Sequence, residues 1–195
     1  MAQKGEDRRV RRTRKQLQTA LAALMREKDI SDITVRELTE LADVNRGTFY
    51  SHYKDLHDML DQVEEGLFQQ LSQTLCAHDV QGLREDLTPI LMSVFHFILA
   101  HQELFTTILG RGEDERFFLR LRKLIYGMYQ REWSGTYDLG SASSTNYFLE
   151  FVVSGVVGLA RAWVQGGMTE SPEEMGALVS QLIVSGLPKK SEKQD

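Results

Sequence analysis

One cysteine, Cys76, stands in a chain of 195 residues. No disulfide can form within the chain, and a reducing compartment is expected. Proline is equally scarce: Pro89, Pro172 and Pro188 are the three present, each at an end of a helical pattern and none inside one. Long apolar runs are missing. The longest, residues 151–160, is interrupted by Ser154, Gly155 and Gly158 and is about half of what a membrane-spanning helix needs. The N-terminus is basic but no apolar stretch follows it, so neither a secretory leader nor a membrane association is expected. Catalytic constellations are missing too. No Ser/His/Asp arrangement can be assigned, and Gly110-Arg111-Gly112 lacks the Lys-Ser/Thr step of a phosphate loop. His96 and His101 are five apart, off the three- or four-residue spacing of helical metal ligands. No Lys or Arg lies within a turn of Cys76, so a reactive thiolate is not expected. The sequence therefore predicts no enzyme, no cofactor and no metal, and a cytoplasmic location.

Net charge is −5, which at first argues against nucleic acid, but the charge is unevenly placed. Residues 1–57 hold 12 Lys/Arg against 9 Asp/Glu, and residues 58–195 hold 11 against 19. Such asymmetry between the halves is what a basic DNA-binding head on an acidic body produces.

Helical periodicity runs through the whole chain and no strand pattern interrupts it. Nine helices are expected, hence an all-α fold. Residues 1–7, mostly polar, are expected to be unordered. The basic run Arg8-Arg9-Val10-Arg11-Arg12-Thr13-Arg14-Lys15 enters a helix reaching about Lys28. Cations at a helix N-terminus oppose the macrodipole. They suit an arm laid along a DNA backbone better than a solvated helix end.

Residues 34–53 are the organising stretch. Thr34 with Glu37 forms a capping box for a short helix, and Val35, Leu38, Leu41 and Ala42 supply its apolar face. Asp43-Val44 breaks the pattern, and Asn45 can cap a second helix over 45–52. Phe49 and Tyr53, four apart, face one core. Arg46, Gly47, Thr48, Tyr50 and His52 leave the other side rich in donors and free of acids, as a surface against phosphates and base edges requires. This is a helix-turn-helix with 45–52 as its recognition helix.

The run Val44-Asn45-Arg46-Gly47-Thr48-Phe49-Tyr50-Ser51-His52-Tyr53 resembles the DNA-binding segment of the tetracycline-repressor (TetR) family of bacterial regulators. The resemblance covers roughly the first third of the chain. It implies phosphate contacts by Thr34, Tyr50 and Lys54, and base reading by Arg36, Arg46 and Thr48. Two positions depart from the family: Asp43 stands where the turn usually carries Gly, and Leu56 where many members carry a phosphate-binding Lys. The implied organisation is a DNA-binding domain over 8–54 and a helical regulatory and dimerisation domain over 55–187.

Between them a helix from about Leu56 to Ala77 forms the natural lever, with Met59, Leu60, Val63, Leu67, Leu71 and Leu75 on one face. Thr88-Pro89 opens the body with a cap and a first-turn proline. Further helices cover about 103–109, 113–133, 145–165 and 171–185. The helix over 145–165 is apolar nearly all round and so must be buried nearly all round. We expect it to meet a second copy together with the last helix, using Phe151, Gly155, Val156, Leu159, Trp163, Leu178 and Leu182. Met92, Phe95, His96, Tyr126 and Trp133 can line an effector pocket; the same residues would serve equally as core.

Two functions of different classes follow. One is a homodimeric regulator of a double-stranded DNA operator, most often a repressor in this family, released by a small molecule. The other is an interaction protein or co-activator of the same fold, controlled by a protein partner. Residues 151–182 resemble the subgroup that includes the regulator of dihydroxyacetone kinase operons, where such a partner is implied.

Overall fold

The computed structural model describes residues 2–78, 86–110, 115–130 and 141–185. Among these residues there are nine α-helices, one 3₁₀ turn at Ile30–Asp32 and no strand. The helices are α1 (Ala2–Glu27), α2 (Val35–Leu41), α3 (Arg46–Tyr50), α4 (Leu56–Cys76) and α5 (Thr88–Ala100). They continue as α6 (Gln102–Gly110), α7 (Glu115–Met128), α8 (Ala142–Gln165) and α9 (Pro172–Ser185). The fold is all-α, as the periodicity requires.

Three helix starts differ from expectation. Helix α1 begins at Ala2 instead of near Arg8. Apart from Gly5, Ala2–Glu6 are good helix formers, so polarity alone marks no boundary there. Helix α8 begins three residues early because Ser141, extended at φ −76° and ψ 163°, accepts a bond from Ser144 N. Ahead of α5 the cap position is Leu87, with Asp86 Oδ1 accepting from Thr88 N at 2.8 Å. Thr88 is thus already helical.

The chain divides into two compact units, and the division falls inside α4, between Leu67 and Phe68. The first unit holds residues 1–67 together with 102–111. Its core gathers Leu17, Leu21, Ile33, Leu38, Phe49, Tyr53, Leu56 and Met59, each fully buried large side chain contributing about 1.5–3 kcal/mol. Helix α6 packs on α1, and Thr19 Oγ1 donates to Glu103 Oε2. Helix α4 ends at Cys76, a free and exposed thiol.

In the second unit α9 packs extensively on α5, and α8 on α7. The α5–α9 approach is close because Gly176 lacks a side chain: a Cβ there would lie 2.6 Å from Met92 Cγ. Phe95 meets the Trp163 ring edge-on at 5.3 Å. After α8, Gly167 (φ 86°) and Met168 (φ 56°) turn the chain through left-handed backbone. Met168 N bonds Trp163 O, and Gly167 N bonds Val164 O, the two bonds that close a helix in this way. By length and composition α8 could cross a membrane. Its buried residues Leu149, Val153, Ala160, Trp163 and Val164 are also what a core helix carries.

Candidate nucleic-acid interface and ligand cavity

Each short helix of the first unit is fixed at its ends by its own side chains. Thr34 Oγ1 accepts from Glu37 N at 3.2 Å, and Thr34 N donates to Glu37 Oε2 at 3.3 Å. The capping box is complete. Glu37 also accepts from Lys28 Nζ. That bond first, and then the Thr34 N–H, hold the Glu37 carboxyl below its ordinary value. Thr39 is buried, not exposed, because its hydroxyl donates back to Val35 O at 2.8 Å. It replaces Leu41 on the inward face. Leu41 was expected there but is 55% exposed.

The turn runs through Asp43 at φ 53°. Val44 N reaches Thr39 O at 3.0 Å and Asp43 N reaches Glu40 O at 3.3 Å. The left-handed residue falls at the position where glycine is usual. Val44 then packs against the core. Asn45 Oδ1 accepts from Gly47 N at 2.8 Å and starts α3. The helix proper is Arg46–Tyr50, with Ser51 as its end cap and His52 in the following turn. Behind α3 the Phe49 and Tyr53 rings lie 5.6 Å apart, both buried. Burial pushes the Tyr53 phenol up, Arg14 nearby working against it.

The opposite side of α3 is open. Arg46 and Gly47 are exposed, Thr48 and His52 half-buried, and Tyr50 is 53% exposed with its ring edge-on to Phe49 at 5.3 Å. Among the described residues nothing bonds the Arg46 side chain. Arg36 differs: its Nε sits 2.8 Å from Glu40 Oε1, which leaves the Nη1 and Nη2 donors for any further contact. Lys54 is exposed, and its backbone N–H donates to Asp58 Oδ2 while Asp58 N donates to Asp55 Oδ1, which caps α4. On α1 the cations Arg8, Arg9, Arg12, Arg14 and Lys15 are all exposed. Only the i,i+4 spacing of Arg36 and Glu40 marks this pair in the sequence.

The second unit contains an apolar cavity of about 120 Å³. Helix α4 supplies Leu71 and Leu75, α5 Ile90, Leu91 and Val94, and α8 Phe148, Val152 and Val156. The residues expected to line a pocket are elsewhere. Met92 lies against Gly176, Phe95 is core against Trp163, and His96 Nε2 pairs with Glu173 Oε1 at 2.8 Å. Tyr126 is partly exposed and is not a wall of the cavity. Trp133 lies outside the described residues. The reason is helical phase: on α5 the cavity stripe is 87, 90, 91 and 94, one residue round from 92, 95 and 96.

The expected contact face with a second copy also changes membership. Trp163 is 4% exposed and donates Nε1–H to Glu170 O at 3.0 Å, so it serves its own unit. Val156 is a cavity wall. Phe151 (67%), Leu182 (53%) and Leu178 (45%) remain outward. Gly155 is exposed, and a Cβ added there or at Gly158 would meet no described atom within 4 Å. Leu159 is half-buried.

A capped helix-turn-helix with an open polar face and a helical unit around an apolar cavity fit one class, DNA-binding regulators. Comparison with known proteins narrows it. A family model described as the C-terminal region of transcriptional regulators, of TetR type, matches residues 85–185. The chain belongs to this family and is a TetR-type transcriptional regulator. It is 33% identical over 110 residues to YxbF of Bacillus subtilis (strain 168), an uncharacterised helix-turn-helix-type regulator. That match covers 53% of this chain and 28% of the relative's length.

Solved structures share the fold. NalD, the secondary repressor of the MexAB-OprM multidrug efflux pump in Pseudomonas aeruginosa, superposes with a TM-score of 0.69 at 16% identity, covering 94% of this chain and 100% of that one. The SmeT–triclosan complex gives 0.68 at 15%, covering 92% and 93%. DhaS, the dihydroxyacetone kinase operon activator, gives 0.61 at 15%, covering 89% and 94%.

Proposed function

We propose that the protein is a bacterial, cytoplasmic, homodimeric repressor that grips a double-stranded DNA operator with α3 and is released by a small apolar effector. The observation that carries this reading is the division of α3. Phe49 is locked into a core while Arg46, unpaired, and Tyr50 stand outward on the same short helix. A side chain held on a rigid element and spared any internal partner is suited to a base edge.

Dimerisation is supported by the outward apolar row Phe151, Leu178 and Leu182 beside Gly155 and Gly158, since helices approach closely where side chains are small. The effector reading rests on the cavity, comparable with the ~150 Å³ apolar cavity that stays dry and takes benzene in an engineered protein. SmeT, a fold relative, is known as a complex with triclosan. Helix α4 carries core residues of the first unit, Met59 and Val63, and cavity walls, Leu71 and Leu75. An occupant that shifts the walls acts on the same helix that carries the DNA-binding core, to the extent that it prefers one state.

The second reading is a co-activator controlled by a protein partner; the fold relative DhaS is an operon activator. Binding to DNA from its own promoter as a function of salt separates the two. Arg46→Ala should weaken specific binding by ~1–3 kcal/mol and relax the preferred sequence. Lys54→Ala should weaken all sequences alike and lower the salt slope by about one. If Lys54→Ala changes the preferred sequence and Arg46→Ala does not, the roles are wrongly assigned; no salt-dependent binding at all favours the partner-controlled reading.

A further inference from the structure

A groove on the α7–α8 side of the second unit holds a cation that no described residue neutralises. Arg161 of α8 is partly buried, and its Nε and Nη2 atoms are shut off from solvent without a hydrogen-bond partner. These two donors share one edge of the guanidinium. Their N–H bonds run parallel, spaced like the two oxygens of a carboxylate. Arginine cannot shed its proton, and buried N–H groups without acceptors are costly, most of all on a charged group.

Arg161 lines a pocket of about 120 Å³ together with Arg122, Glu150, Ser154, Val157 and Gly158. Arg122 is already paired, Nη1 standing 3.0 Å from Glu150 Oε2. One uncompensated positive charge is left, beside a hydroxyl and a valine wall, at a place where Gly158 contributes no bulk. The apolar cavity offers nothing comparable, since its walls are aliphatic and aromatic.

We propose that this pocket binds a small organic carboxylate, held by Nε and Nη2 of Arg161, at a site distinct from the apolar cavity. The donors are covered in the unliganded chain, so the guanidinium must swing into the pocket it already lines. Leaving an unpaired burial for a two-bond ion pair drives that swing. The carboxylate is that of a free acid; an acidic side chain of a second copy is the rival source of the same chemistry. DNA binding plays no part in the proposal, but Gly158 also borders the face offered to a second copy, so the oligomeric state is measured alongside.

The test is thermal melting of the full chain with sodium benzoate or sodium acetate, against benzamide and against sodium chloride at equal ionic strength. Benzoate should raise the melting temperature saturably, and benzamide should not. Arg161→Gln should abolish the rise while melting no lower than wild type, and Arg161→Lys, which keeps the charge but loses the paired edge, should weaken binding at least tenfold. Stabilisation by the carboxylates no greater than by chloride, or an equal rise in Arg161→Gln, overturns the proposal. Sedimentation supplies the other arm. If Arg161→Gln changes the oligomeric mass while benzoate leaves the wild type untouched, the carboxylate belongs to a second copy and the free-acid site is refuted. Should Arg161→Gln not fold, the benzoate–benzamide contrast in wild type and Arg161→Lys decides alone.

Discussion

The two units treat their interiors in opposite ways. In the first, Leu17, Leu38, Phe49 and Met59 have no accessible surface, and α2, α3 and α4 each begin on a side-chain cap. In the second, an apolar cavity is left open, a guanidinium is buried without a partner, and large apolar side chains face outward on α8 and α9. A close-packed unit resists deformation and holds a reading face in one geometry. A unit with a void has walls that lack contacts on one side and gain them from an occupant. Close packing falls in the unit that carries the helix-turn-helix, and slack in the unit where an effector is proposed to bind.

The largest expected effect separates the outward faces. Leu182→Glu should split the proposed dimer, burying two like charges across a symmetric contact at about 3–5 kcal/mol. Leu41→Glu, equally exposed but in the first unit, should leave the sedimenting mass unchanged. A Leu182→Glu protein that remains dimeric removes this face from the interface.

Adding the same atoms to the two interiors should have opposite signs. Leu38→Phe overfills the first core and should cost about 1–3 kcal/mol. Leu91→Phe has the cavity to grow into and should be neutral or stabilise by about 0.5–2 kcal/mol, while lowering affinity for an apolar probe such as benzene. Equal losses in denaturant unfolding would mean that the cavity walls cannot yield.

Smaller again is the backbone effect at Gly66, within α4, where a Cβ would meet no described atom within 4 Å. Gly66→Ala should stabilise by about 0.8–1 kcal/mol and alter effector release more than operator affinity. A lower melting temperature with unchanged release would show that Gly66 is not a point of give in α4.

The smallest effect is a pH dependence confined to the first unit. Lys28, and then the Thr34 N–H, depress the Glu37 carboxyl. The folded chain therefore takes up that proton at lower pH than the unfolded chain. The contribution is complete above the ordinary carboxylate range and is lost as pH falls through the depressed value. Glu37→Gln should flatten that part of the acid limb of unfolding, and an unchanged limb would show the interaction to be inconsequential.

Features encoded over three or four residues were legible in the sequence. Thr34 with Glu37 and Asn45 cap as their spacing requires, whereas Thr88 is already helical and Leu87 holds the cap position. The left-handed backbone at Asp43 was signalled only by the family resemblance, which puts glycine at that turn position. Legibility ended where a residue's role depends on which neighbour its face meets. Phase along α5 differs by one residue between cavity wall and core, and an apolar pattern does not fix it: Val94 and Phe95 are equally apolar. Trp163 turned inward because Glu170 O lay within reach of its indole N–H, a partner supplied by the turn after α8. Nothing in the sequence distinguishes Arg161 from the other arginines, since an unpaired guanidinium is defined by what surrounds it in space.

The single thiol at the end of α4 gives the molecule a built-in reporter. Cys76 is exposed and is the one cysteine in the sequence, so a maleimide spin label attaches once per chain without any engineered residue. The proposed symmetric dimer would then carry two labels, and dipolar spectroscopy between them would return one distance distribution. Since α4 also carries core residues of the DNA-binding unit, a shift of that distribution on adding operator or effector reads the helix's movement directly, in ångströms.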